Sequence, residues 1–186
     1  MSYLSEKELS KLNFKYIGSN VKISSKASIY NPELIEIDDS SRIDDFCIIS
    51  GNVKLGKFCH ITPMCLLAGG SPGIVIEDYG TLAYGVKIFS QSDDYSGETM
   101  FNSLIPKEFK KEKMAPVEIK KFVIIGTNSV VFPGVVIEEG VSVGAMSLVI
   151  KDLNSWSLYA GIPVKKLKNK SKKLLKLEQE FLSNFK

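Results

Sequence analysis

Aliphatic residues recur every six positions over the C-terminal half of the chain, at Ile119, Ile125, Val131, Ile137, Val143 and Val149. Small, turn-forming or charged residues follow one or two places behind them: Gly126, Pro133, Glu138, Gly144 and Lys151. Four places on, the chain places small or β-branched side chains at Val123, Ser129, Val135, Val141 and Ser147. A simple strand alternation would not skip in this way, and a 3.6-residue helical period drifts off register within two repeats. A fixed hexad instead demands a short strand, a corner and another short strand, so that three hexads close a coil and every eighteenth residue stacks on itself. The pattern predicts an all-β solenoid of triangular coils, with the aliphatic ladder filling its bore and backbone hydrogen bonds running between coils.

The same ladder extends towards the N-terminus through Ile23 and Ile29, slips by two residues near Pro32, and resumes at Ile37, Ile43, Ile49, Leu55, Ile61 and Leu67. A second slip over 68–75, AGGSPGIV, precedes Ile76, Leu82 and Ile88. Its glycines permit backbone angles that bring a loop close to a ligand, which makes Ser71 a candidate substrate contact; a tolerated surface loop is the competing reading. Ile119 follows Ile88 by a step of 31 residues where the lattice step is six, so about 25 are inserted, and insertions of this length in compact domains are functional or disordered.

Both ends read as helices. Ser5 and Glu8 form a capping box with Leu4 and Leu9 at staple positions, which starts a helix at Glu6. Near the C-terminus, Leu174, Leu175, Leu177, Phe181, Leu182 and Phe185 fall at helical spacings with lysines opposite, from about Ser171. The chain therefore divides into an N-terminal cap helix and lead-in (1–20), a solenoid (21–161) interrupted by a loop (89–118), and a basic amphipathic helix (162–186).

Composition narrows the function classes. With 186 residues, 44% hydrophobic, the chain has enough apolar material for one core. Residues 165–186 hold eight lysines against Glu178 and Glu180, so the net charge of +3 conceals a body at −3, which does not suit nucleic acid. No apolar run approaches 18 residues and no signal-like start is visible, so a cytoplasmic protein without a membrane span is expected. Cys47, Cys59 and Cys65 occupy the small corner position, with spacing that fits the coil rather than tetrahedral ligation, so they read as apolar packers and no metal is expected.

The runs PVEI, VIIG, VVFPGVVIEEGVSVGAMSLVIKD and YAGIPVKKLK resemble the hexapeptide-repeat acyltransferases, in the galactoside, maltose and surface-polysaccharide acetyltransferase branch. The likeness spans roughly 21–168. It implies a left-handed parallel β-helix, a homotrimer with active sites between subunits, and acetyl-CoA as acyl donor. Carried over position by position, it puts the pantetheine arm beside Thr127 and Ala145, eighteen residues apart on one stacked row, with Ile150, Lys151, Lys165 and Lys166 in the coenzyme region. Small side chains let a thin arm lie along the wall, and a backbone N–H aimed at the thioester oxygen stabilises developing negative charge. Met146, Ile150, Ile124 and Lys165 replace the family's usual glycine, threonine, tryptophan and arginine.

The acceptor side departs further. Galactoside and maltose acetyltransferases carry a histidine at the mouth of the inserted loop, where this chain has Asp93 and Asp94 among Ser92, Tyr95 and Glu98. The single histidine, His60, points outward from a coil face by the hexad count. A sugar hydroxyl needs a general base of near-neutral pKa, which His60 would have to supply. A sugar amine needs only to lose its ammonium proton and be oriented, a task a carboxylate performs while attracting the cation. The expected function is acetyl-CoA-dependent N-acetylation of a nucleotide-linked amino sugar for surface polysaccharide (lipopolysaccharide O-antigen) biosynthesis. O-acetylation of a galactoside or polysaccharide hydroxyl is the alternative enzyme reading, and a non-catalytic solenoid scaffold the alternative outside enzymes.

Overall fold

The computed structural model describes residues 2–184; Phe185, assigned above to the helical stripe, lies outside them. The hexads build a parallel β-helix with three faces. The first face stacks Lys22–Ile23, Arg42–Ile43, His60–Ile61, Thr81–Leu82, Ile124–Ile125 and Ser142–Val143, and ends on Ser157–Gly161. The second runs from Ser28–Tyr30 through Lys87–Phe89 to Val130–Val131 and Leu148–Val149. The third holds Tyr16–Ile17, Ile35–Ile37, Val117–Ile119 and Val136–Ile137. The second and third merge into one sheet because Ile48–Leu55 and Leu66–Ile76 continue around the corner between them.

The ladder residues named above are buried, apart from Ile29, which packs partly buried against the same core. Buried hydroxyls are mostly satisfied by backbone groups, with Thr62 Oγ1 buried without a hydrogen-bond partner among the described residues. Ser129 Oγ donates to Gly144 O at 2.9 Å and accepts from Ser147 N at 3.2 Å, which removes the penalty of burying a hydroxyl. The three cysteines are free and buried, and burial pushes the Cys59 thiol up to about 12.

The three corners differ in what they carry. Between the third and first faces, Phe58, Tyr79 and Phe122 occupy left-handed backbone positions (φ 55°, 61° and 61°) and stack, with centroids 5.3 and 4.9 Å apart. Helix α2, Leu174–Asn184, lies over them with Phe181 edge-on to Phe58 at 5.3 Å and Glu178 paired with Lys121 at 2.6 Å. Between the first and second faces, the parallel register continues one row outward as Asp45, Pro63, Tyr84, Thr127, Ala145 and Gly161. Between the second and third faces lie all the slips: the 3-10 turn Pro32–Leu34, the glycine bulge, and the long insertion.

Helix α1, Glu6–Lys11, starts and caps as its sequence demands, with Ser5 and Glu8 capping each other. Four boundaries differ from those expected. The coil begins at Tyr16–Ile17, inside the segment assigned to the lead-in, because these residues pair in parallel with Glu36 and Ile37. The segment after Gly161 does not leave the solenoid: Val164–Asn169 folds back antiparallel on Ser157–Gly161, satisfying the edge groups that the last coil would otherwise expose. The helix starts only at Leu174. The insertion proper is shorter than 89–118, since Phe89 and Val117 belong to coil strands, and its root is closed by an antiparallel pair, Gln91–Ser92 with Lys113–Met114.

Candidate active site

The insertion is anchored where the glycine bulge meets it. Ser90 is fully buried, its Oγ donates to Gly69 O, and Ala115 N donates to Ser90 O at 3.0 Å. Gly70 and Gly51 hold their backbones against each other, and a Cβ on Gly51 would collide with Gly70. The glycines of the bulge thus serve coil-to-coil packing, while Ser71 remains exposed at its tip. Ser71 stands at the margin of the loop and not within its cavity.

Ser92, Asp93 and Tyr95 converge with Phe89, Glu112 and Phe132 around a cavity of about 240 Å³. Sharing Asp93, Tyr95 and Glu112 with it, a shallower depression of about 440 Å³ is lined also by Asp94, Glu98, Lys111 and Lys113. Asp94 accepts hydrogen bonds from Ser96 N at 2.9 Å, Ser96 Oγ at 2.8 Å and Thr99 Oγ1 at 2.8 Å. These donors, the Ser96 amide foremost, hold its carboxyl below the usual carboxylate range and keep it ionised at neutral pH. The Thr99 amide adds to these donors, so the carboxylate is held within its own turn. Asp94 therefore has a structural task in its own turn.

The donor row is built differently. Thr127 and Ala145 follow one another directly, with Met146 N donating to Thr127 O at 2.8 Å, and Asn128 N donating to Tyr84 O at 2.8 Å one coil further on. Ala145 is exposed and Thr127 partly so. At the C-terminal end of the row, Lys165 pairs across from Ala160 and Lys166 from Tyr159, both lysines exposed. A shallow wall of small side chains ending in two cations fits a thin arm with a phosphate end. Ile150 and Lys151 do not join this row. They follow Leu148–Val149 at the far end of the second face, at the corner that carries the insertion, because the hexad turns away from Ala145 along that strand.

His60 lies on the first face between Arg42 and Thr81. Its Nε2 is 2.9 Å from Asp44 Oδ2, and Asp44, whose side chain is 2% exposed, also binds Arg42 Nε at 2.6 Å and Nη2 at 3.1 Å. The histidine is thus outward-facing but tied into a charged cluster. Arg42, Asp44, Glu112 and Phe132 carry no motif that would single them out. Only the count of eighteen from Arg42 to His60 signals the pairing on the first face.

Within one chain the donor row and the carboxylates of the insertion stand at different corners. Tyr84 and Ser90 stand at opposite ends of the second face, six residues apart, and the turn at Tyr84–Gly85 keeps them closer than the roughly 20 Å that six extended residues span at about 3.3 Å each. Among the described residues no group of three or more His, Cys, Asp or Glu is placed to hold a metal ion, and no helix is long and apolar enough to cross a membrane.

A parallel β-helix with a small-residue row at one corner and a carboxylate-bearing insertion at the next defines a hexapeptide-repeat acyltransferase. The chain belongs to the sugar acyltransferases of this family, with their left-handed β-helix fold. It is 40% identical over 184 residues to a dTDP-4-amino-4,6-dideoxy-D-glucose acyltransferase of Escherichia coli, covering 97% of this chain and 95% of that one. AntD, an N-acyltransferase from Bacillus cereus solved with dTDP and 3-hydroxybutyryl-CoA, superposes with a TM-score of 0.98 at 45% identity, over 99% of this chain and 98% of AntD. An AntD variant holding dTDP-4-amino-4,6-dideoxyglucose and coenzyme A gives 0.97 at 46% identity, over 98% of each chain. No family model matches the chain.

Proposed function

We propose that the protein transfers an acetyl group from acetyl-CoA to the amine of a nucleotide-linked amino sugar, a dTDP-4-amino-4,6-dideoxyhexose in class, for surface polysaccharide. The observation that carries this reading is the ionised Asp94 beside Asp93 at the mouth of the insertion, where a hydroxyl-directed relative carries histidine. It is supported by the end-to-end likeness to enzymes named for a dTDP-amino sugar and solved with one.

Thr127 and Ala145 would border the pantetheine arm, with Lys165 and Lys166 neutralising its phosphates. Asp94, with Asp93, would attract the ammonium form and, once a proton is lost to solvent, accept a hydrogen bond from the amine and aim its lone pair. The C–N bond forms as the C–S bond breaks, and coenzyme A leaves as the thiol. Lys111 and Lys113 supply positive charge for the sugar's diphosphate, and the aromatic Tyr95 and Phe132 supply apolar faces. Because donor and acceptor corners are a full face apart in one chain, the reading requires a homotrimer in which the insertion of one subunit meets the donor row of its neighbour. Ile150 and Lys151 would then reach the coenzyme from the neighbouring subunit.

Incubating the purified protein with acetyl-CoA and dTDP-4-amino-4,6-dideoxyglucose, and following free thiol and product mass, tests the proposal. An acetamido product is expected. Thiol release only with hydroxy sugars would replace it with O-acetylation.

A further inference from the structure

Tyr84 belongs to the same outward row as Thr127 and Ala145, one coil nearer the N-terminus, and it was not singled out by its sequence. It is 58% exposed, whereas its row neighbours on the C-terminal side carry small side chains. Counting from Gly161, beside the lysines of the edge hairpin, the row takes three inter-coil steps to reach Tyr84, about 14 Å at a spacing of roughly 4.8 Å. That is the scale of an extended pantetheine arm, so an arm whose phosphate end lies near Lys165 and Lys166 brings its thioester to the level of Tyr84.

The phenol does not stand alone. Arg42, two coils nearer the N-terminus, is fixed by Asp44 at 2.6 and 3.1 Å and lies over the Tyr3 ring at 5.6 Å. Asp44 chiefly, with Tyr3 and Tyr84 adding against the effect of burial, raises the Arg42 pKa. An exposed ring at this step of the row stands just beyond the end of the arm's path.

We infer that Tyr84 is the end wall of the acyl subsite and restricts the donor to an acyl group of about the size of acetyl. The inference rests on the donor row assigned above. AntD was solved with the longer 3-hydroxybutyryl thioester, so that acyl group is the natural probe.

Calorimetric titration of coenzyme A, acetyl-CoA and 3-hydroxybutyryl-CoA into the wild-type protein and into Tyr84→Ser and Tyr84→Phe tests it. The wild-type protein should bind acetyl-CoA at least about tenfold more tightly than 3-hydroxybutyryl-CoA, the scale on which a packed wall rejects extra methylenes. Tyr84→Ser should bring that ratio to within about threefold while leaving affinity for free coenzyme A unchanged. Tyr84→Phe, which keeps the ring, should keep the discrimination. A ratio that is the same in the wild-type protein and Tyr84→Ser, with coenzyme A still bound, overturns the role of Tyr84 alone. Absence of coenzyme A binding in the wild-type protein overturns the donor row and the wall together.

Discussion

Ile124 and Ile125 are adjacent, chemically identical, and differ only in the face they occupy. Ile125 is fully buried between Leu82 and Val143 in the ladder, whereas Ile124 is 45% exposed between Thr81 and Ser142. Ile125→Ala removes buried methyl and methylene groups from a bore whose flanking coils are tied by hydrogen bonds and cannot collapse onto the gap. Such truncations cost about 2–5 kcal/mol, and at roughly 2–4 °C per kcal/mol for a chain of this size the midpoint should fall by about 4–20 °C. Ile124→Ala should cost no more than about 1 kcal/mol, so its midpoint should move by under about 4 °C. Thermal unfolding followed by far-UV circular dichroism, at one protein concentration for all variants, reads both values. Equal shifts, or a larger shift for Ile124→Ala, would show that the hexad register is wrong by one residue.

Ala145→Trp should lower affinity for coenzyme A by about a hundredfold or more while the midpoint moves by under about 4 °C, since Ala145 is exposed; an unchanged dissociation constant in the folded variant removes Ala145 from the donor site. Asp94→Asn should cost roughly 10² to 10⁴ in kcat/KM, and His60→Ala less than about tenfold; the reverse order would point to a hydroxyl acceptor. Because Asp94 also holds its own turn, Ser96→Ala serves as the control, and a loss as large as that of Asp94→Asn would make the aspartate's role structural. The folded-state pKa of Asp94 is depressed, so its support of the loop is fully present above the unfolded value of about 3.9 and is lost as pH falls through the folded value. Hydrogen exchange of the insertion should thus be level from neutral pH to about 5 after correction for intrinsic rates, and protection lost between pH 6 and 7 would contradict that assignment.

The solenoid was legible because its period is a geometric demand: a ladder residue displaced by one place would point out of the bore, so the sequence records the coil at each repeat. The same arithmetic located the slips and the insertion. Counted in threes, it also puts all of them at one corner, because they follow the second, eighth and eleventh members of the ladder. The edge hairpin Val164–Asn169 was missed for a different reason. VKKLKN has no strand alternation of its own, and only Val164 in it is buried; the unpaired edge of Ser157–Gly161 makes it a strand. At the candidate site, the loop carboxylates and the small-residue row could be read from local composition and the family resemblance. Arg42 and Asp44 could not, because their contact with His60 depends on two side chains reaching across stacked coils. The family resemblance groups Ile150 and Lys151 with the coenzyme region, and the corner after Leu148–Val149 sets them apart from the donor row of their own chain.

The central claim is that the carboxylates of the insertion serve an amine acceptor. The most direct test is the pH dependence of kcat/KM with acetyl-CoA and a dTDP-linked amino sugar, with the product identified by mass spectrometry. The account predicts an amide product and a rate that keeps rising above pH 7 towards the amine's own pKa, with His60→Ala following the same curve. An ester product, or a rate that levels off near pH 7 and disappears in His60→Ala while Asp94→Asn stays nearly normal, would contradict it.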